Sequence, residues 1–176
     1  MGIRKNQESG TPVRPRAELG GGKNLSPQEA LARIQRYCAY QERSHQEVKR
    51  KLFDYGLRSD EVDELLARLI TDGFLNEERF AKAFAGGKFR IKKWGRLKIE
   101  HELEHRGLTK NCIVRGINEI DASDYTKTLR ALIAKRAKQT DERNLFKKRN
   151  KVARFVIAKG YEPELVWEVV KELVAG

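Results

Sequence analysis

VKRKLFDYGLRSDEVDELLARL, from Val48 to Leu69, is written again as IEHELEHRGLTKNCIVRGINEI from Ile99 to Ile120 and as VARFVIAKGYEPELVWEVVKEL from Val152 to Leu173. Val48, Leu52, Gly56, Val62, Leu66 and Leu69 recur as Ile99, Leu103, Gly107, Ile113, Ile117 and Ile120 at an offset of 51 residues. A further 53 residues on they recur as Val152, Val156, Gly160, Val166, Val170 and Leu173. The apolar spacing within each copy is that of one helix face, and the glycine shared by all three suits a left-handed cap between two helices. One helical unit is therefore stacked three times, which builds a long face rather than a single deep pocket. The expected fold is all-α: three tandem three-helix bundles forming an elongated, curved body, with function on its surface.

Working outward, each unit acquires a leading helix. SPQE places Ser26 as cap, Pro27 at the first helical position and Glu29 as the capping-box partner, ahead of a face carrying Leu31, Ile34, Tyr37 and Cys38. Ser44 to Glu47 is a second box, Gly56 closes that helix, and Ser59 starts the third. In the next unit Asn76 caps a helix expected to bear Phe80, Phe84 and Ile91; Gly95 stands where Ser44 stood, and Gly86 and Gly87 mark a bend or a close helix contact. Tyr125, Leu129, Leu132 and Ile133 lead the last unit, KQTDER breaks it, and Gly160 and Pro163 punctuate its end. The expected divisions are residues 26–75, 76–121 and 122–176, nine helices in all. Residues 1–25, with Pro12, Pro15 and three consecutive glycines, read as a disordered basic tail.

The formal net charge of +12 favours a polyanionic partner, nucleic acid before membrane. It is unevenly spread. Residues 26–80 hold nine basic side chains against eleven acidic, residues 81–121 ten against five, and residues 122–176 thirteen against seven. Cys38 and Cys112 have neither disulfide nor zinc-knuckle spacing and read as two small buried thiols of a reducing compartment. No apolar run reaches the length of a membrane span and MGIRKNQESG lacks a signal-peptide core, so a cytoplasmic location away from membranes is expected.

KFRIKKWGRLK sets Lys88, Arg90, Lys92, Lys93, Arg96 and Lys98 in eleven residues without an acid. Such a run displaces counterions from phosphates irrespective of sequence, whereas an ordinary solvated face interleaves both signs. Phe89 and Trp94 within it suit either stacking on unpaired bases or burial at a helix junction. Lys147, Lys148, Arg149 and Lys151, followed by Arg154, form a second cluster on the helix equivalent to the one that starts at Gly95. A small rotation between units would join the two clusters in one stripe.

HELEH, His101 to His105, matches the HExxH pattern of zinc proteases. The register opposes that reading. Leu103 is a core position, so both histidines point away from the core, and His45 is the only other histidine. GxSxG, GxxxxGK[ST] and a strand-borne GxGxxG are all missing, and adjacent Ser44 and His45 are a helix start rather than a catalytic pair. No enzyme, metal or cofactor is expected.

GFLNEERFAKAF (Gly73 to Phe84), KFRIKKWGRLKI (Lys88 to Ile99) and the following Leu103 and Gly107 resemble the central signature of the RecX family of bacterial regulatory proteins. YCAYQERSHQEVKRKL (Tyr37 to Leu52) resembles that family's first repeat. The resemblance runs over residues 26–174, strongest in the first two units. It implies tandem three-helix repeats and a non-enzymatic modulator, with roles in homologous recombination, DNA repair and the SOS response. The implied partners are the RecA recombinase filament and single-stranded DNA, with double-stranded DNA a further candidate; recombination, ATPase and coprotease activities are depressed. A monomer is expected. Lys88, Arg90, Lys92, Lys93, Arg96 and Lys98 match the family's basic central segment and, with Trp94, are the expected contacts, followed by Lys147, Lys148, Arg149, Lys151 and Arg154. The rival readings are a general DNA-binding protein with helix-turn-helix-like repeats and a pure protein scaffold.

Overall fold

The computed structural model describes residues 24 to 174, which form nine α-helices and one π-helical turn and no strand. The helices are α1 (Pro27–Tyr40), α2 (His45–Asp54), α3 (Ser59–Thr71), α4 (Glu77–Gly87), α5 (Arg96–His105), α6 (Lys110–Ile117), α7 (Ala122–Gln139), α8 (Leu145–Ile157) and α9 (Pro163–Leu173), with the π turn at Lys88–Lys92 after α4. The tail reading falls almost wholly outside the described residues. Its last two residues are placed: Leu25 donates its amide to the Tyr55 carbonyl at 3.0 Å and packs on the first core, where a disordered end was expected.

The capping grammar is obeyed. The Glu29 and Glu47 carboxylates accept from the Ser26 and Ser44 amides at 3.0 and 2.9 Å, and Asn76 accepts from the Arg79 amide at 2.9 Å. Gly56, Gly107 and Gly160 all take positive φ, 85°, 74° and 90°, at the ends of α2, α5 and α8, where a side chain would be strained. Register residues Val48, Leu52, Ile99, Leu103, Val152 and Val156 are fully buried, while Leu66, Ile117 and Leu173 are half-buried at the edges of their cores. Each fully buried aliphatic side chain of this kind contributes about 1.5 to 3 kcal/mol.

The three expected bundles are present, and their apolar cores group into two clusters. Residues from Ala30 to Leu75 enclose one apolar cluster within α1–α3. A second cluster runs without interruption from Phe80 to Val174 through α4–α9. Phe89, Tyr125 and Tyr161 join the second and third triplets, with ring centroids 5.8 and 4.9 Å apart along the series. Gly116 lets α6 approach α4 so closely that a Cβ there would lie 2.8 Å from Ala81. The seam between the first and second triplets is polar instead: Arg79 donates to Glu42 at 2.8 Å and to the Gly73 carbonyl at 2.9 Å, and His45 Nδ1 lies 3.6 Å from Glu77.

One expectation about the second unit is overturned. Ile91 does not continue the face of Phe80 and Phe84; it is 77% exposed. The π turn adds a residue per turn, so the side chain that returns to the core is Phe89. Gly86 makes room for the Arg90 guanidinium, which lies 2.8 Å from where a Cβ would stand, and Gly87 faces open space.

Candidate nucleic-acid interface

The basic run straddles the π turn, a short link and the start of α5. Lys93, at φ 55° and ψ 40°, is the only non-glycine residue with positive φ among the described residues; its amide closes the turn on the Phe89 carbonyl at 3.0 Å. A lysine held there costs about 1 to 2 kcal/mol that an unstrained backbone would not. Lys92 and Lys93 are thrown outward as a result, and Arg90 is exposed beside them.

Gly95 does take the N-cap position of α5, as Ser44 does for α2, but with no side chain to cap it. The third triplet supplies the acceptors. The Gly95 and Leu97 amides donate to the Lys159 and Gly160 carbonyls at 2.8 and 3.0 Å, and the Arg96 amide donates to the Tyr125 hydroxyl at 3.1 Å. A Cβ on Gly95 would overlap the Gly160 backbone, and one on Gly160 would overlap Lys98. This helix start is therefore closed by protein, and attraction for phosphate must come from side chains. Tyr125 in turn donates to Glu162 at 2.6 Å; burial and then that bond hold its phenol far above the ordinary range, so it stays a neutral donor.

Of the six cations in the run, Arg96 alone meets a carboxylate among the described residues, Glu162 at 3.8 Å, while its guanidinium lies 4.0 Å from the Tyr125 ring centroid. Lys88 and Lys98 lean on aromatic faces. Lys88 Nζ stands 5.1 Å from the centroids of both Phe84 and Trp94, and Lys98 Nζ 4.7 Å from that of Trp94. Trp94 is half-buried against the second core, between the two roles open to it, whereas Phe89 is core.

The second cluster divides. Arg149 donates to the Val174 carbonyl at 2.8 Å and closes the end of α9, and Lys151 pairs with Glu142 at 2.8 Å. Lys147, Lys148 and Arg154 have no carboxylate partner among the described residues. What meets the first run is the other end of α8. Lys98 lies against Gly160; next to it Lys159 Nζ is 5.5 Å from the Phe155 ring, over which Arg136 also sits at 4.6 Å. With the Arg106 guanidinium 4.7 Å from Phe84, two cation–ring stacks flank the junction: Arg106, Phe84, Lys88, Trp94 and Lys98 on one side, Lys159, Phe155 and Arg136 on the other. Sequence reasoning missed Arg106, Arg136, Phe155 and Lys159. One signal was legible: the residue before the repeated glycine is Tyr55, Arg106 and Lys159, a cation in both basic units.

His101 and His105 are both exposed beside buried Leu103, as the register requires, and no group of three or more potential metal ligands occurs among the described residues. Cys38 is buried, its thiol pushed up to about 11 by desolvation; Cys112 is only half-buried, where full burial was expected. No helix among the described residues is long and apolar enough to cross a membrane.

Curated relatives share this sequence over much of its length. The regulatory protein RecX of Clostridium perfringens is 26% identical over 133 residues, 74% of this chain and 62% of that protein, so the chain spans less than two thirds of that relative. The regulatory protein RecX of Prosthecochloris aestuarii is 25% identical over 146 residues, covering 83% of this chain and 94% of the relative. The crystal structure of RecX from Lactobacillus salivarius superposes with a TM-score of 0.74 at 20% identity, over 84% of this chain and 96% of that one, a likeness of fold. Models of the first, second and third three-helix domains of RecX match residues 30–69, 76–115 and 123–170, in that order along the helices described above. Three domains in sequence, each on its own helix triplet, mean that this chain belongs to the RecX family.

Proposed function

We propose that this protein binds the RecA recombinase as its filament on single-stranded DNA and depresses the filament's ATPase, recombination and coprotease activities. The units of the array are residues 26–75, 76–121 and 122–176. The observation that carries the reading is the pair of cation–ring stacks on either side of the junction, in which Lys88, Lys98, Lys159 and Arg136 have no carboxylate partner among the described residues. A single strand offers phosphates to such cations and base faces to such rings without regard to sequence. Arg90, Lys92 and Lys93 extend the positive surface outward, and Lys147, Lys148 and Arg154 are further cations without carboxylate partners among the described residues on α8. Relatives carrying the name regulatory protein supply the second support.

The test is a titration of RecA-driven ATP hydrolysis on single-stranded DNA. The protein is expected to inhibit hydrolysis at or below stoichiometric ratio to recombinase, and the double substitution Lys92→Glu, Lys93→Glu to weaken inhibition. It should also flatten the dependence of log affinity on log salt by about two, one per lost phosphate contact. Unchanged hydrolysis across the titration, with DNA binding intact, would favour a general DNA-binding protein.

A further inference from the structure

A cleft of about 400 Å³ opens where the first and second helix triplets meet, within the range of about 300 to 1,000 Å³ typical of ligand sites. The first triplet contributes acids to it. Glu42 is held by Arg79, and Glu47 gives one carboxylate oxygen to the Ser44 amide while its other oxygen has no hydrogen bond among the described residues. The second triplet contributes Lys88, Lys92 and Arg106. Phe84, Ile91 and the bare backbone of Gly87 supply apolar surface.

Charge decides what fits. A lysine or arginine from a partner would satisfy Glu47 but enter among three cations; an aspartate or glutamate would meet the reverse. A nucleotide suits both sides: a flat neutral ring for the apolar surface, an exocyclic amine to donate to a carboxylate, and a phosphate for the cations. Lys88 and Lys92 belong both to the cleft and to the basic run, so a strand lying along that run passes the opening. We propose that this cleft takes one unstacked base of the bound single strand, and that Glu47 favours bases with an exocyclic amine over thymine. The inference rests on the nucleic-acid reading of the run from Lys88 to Lys98.

Gly87→Leu tests it directly. Gly87 lines the cleft and a Cβ there meets nothing within 4 Å, so a leucine at this position occupies the cleft and favours the helix. Binding of oligo-dC and oligo-dT is measured at one neutral pH and over a range of salt. Wild-type protein should prefer oligo-dC by about fivefold, the worth of one hydrogen bond to a charged group or somewhat less. Gly87→Leu should bring oligo-dC down to the level of oligo-dT, and Glu47→Gln, which keeps the capping box, should narrow the preference to under about twofold. Salt-dependent binding without base preference, or a preference that survives Gly87→Leu, overturns the cleft and spares the nucleic-acid reading. No binding of either strand at low salt overturns both. If Gly87→Leu abolishes inhibition of the recombinase while both oligonucleotides bind as before, the cleft holds a protein segment and the proposal fails.

Discussion

Helices α1–α3 close around an apolar cluster of their own and meet the rest of the chain through charged side chains, whereas α4–α9 share one cluster and interlock backbone against backbone at Gly95 and Gly160. The same repeated skeleton thus yields one self-contained unit and one fused pair. In the first unit Lys49, Arg58 and Arg68 pair with carboxylates while Arg43 and Lys51 lie over rings, and around the junction of the second and third most of the cations lean on rings or face solvent. The comparison teaches that repetition fixes where core residues fall, and that the few non-repeated contacts decide which neighbours merge and which surface stays available.

Cavity-forming substitutions should separate the two clusters most strongly. Leu52→Ala and Leu103→Ala occupy equivalent, fully buried positions, and each should cost about 2 to 5 kcal/mol. Both tryptophans, Trp94 and Trp167, pack on the second cluster, so urea unfolding followed by tryptophan fluorescence should shift for Leu103→Ala and hold for Leu52→Ala. Hydrogen exchange should show the opposite order in α1–α3. Equal shifts in both variants would mean one cooperative body and would break the comparison.

Next in size is Gly95→Ala, where the methyl group must displace the Gly160 backbone. It should destabilise the tryptophan-reported transition by about 1 to 3 kcal/mol, and Ser44→Ala, the equivalent site, should cost about 1 kcal/mol through its cap alone without moving that transition. Lys93→Gly sharpens the link between strain and function. Relief of the left-handed lysine should stabilise the fused pair by about 1 kcal/mol, while affinity for single-stranded DNA falls through the lost charge. Stability and affinity falling together would remove strain from the account. The smallest contrast is chemical: at pH 8 Cys38, with its thiol near 11 and buried, should react with a thiol reagent roughly tenfold slower than half-buried Cys112.

Much of this was legible in the residues. The offsets of 51 and 53 located the core of every unit, because an apolar face at helical spacing has one way to be buried. The caps at Ser26, Ser44 and Asn76 were legible for the same local reason. The π turn was not: Gly86, Gly87 and a string of cations carry no period, and only the demand that Phe89 reach the core selects the wider turn, leaving Ile91 outside. Nor was the merging of the last two triplets, since it depends on Tyr125, Tyr161 and the meeting of two glycines 65 residues apart. That meeting also explains why the candidate surface continues through Lys159 rather than KKRNK, where Arg149 and Lys151 are held by the fold itself.

The glycine at the head of α5 gives the array a grammar of length. Ser44 finishes α2 unaided and Asn144 finishes α8, accepting from the Lys147 amide at 2.9 Å, but α5 borrows its ending from the module that follows. A protein truncated after Asp121 would carry a raw helix end at its most cationic point.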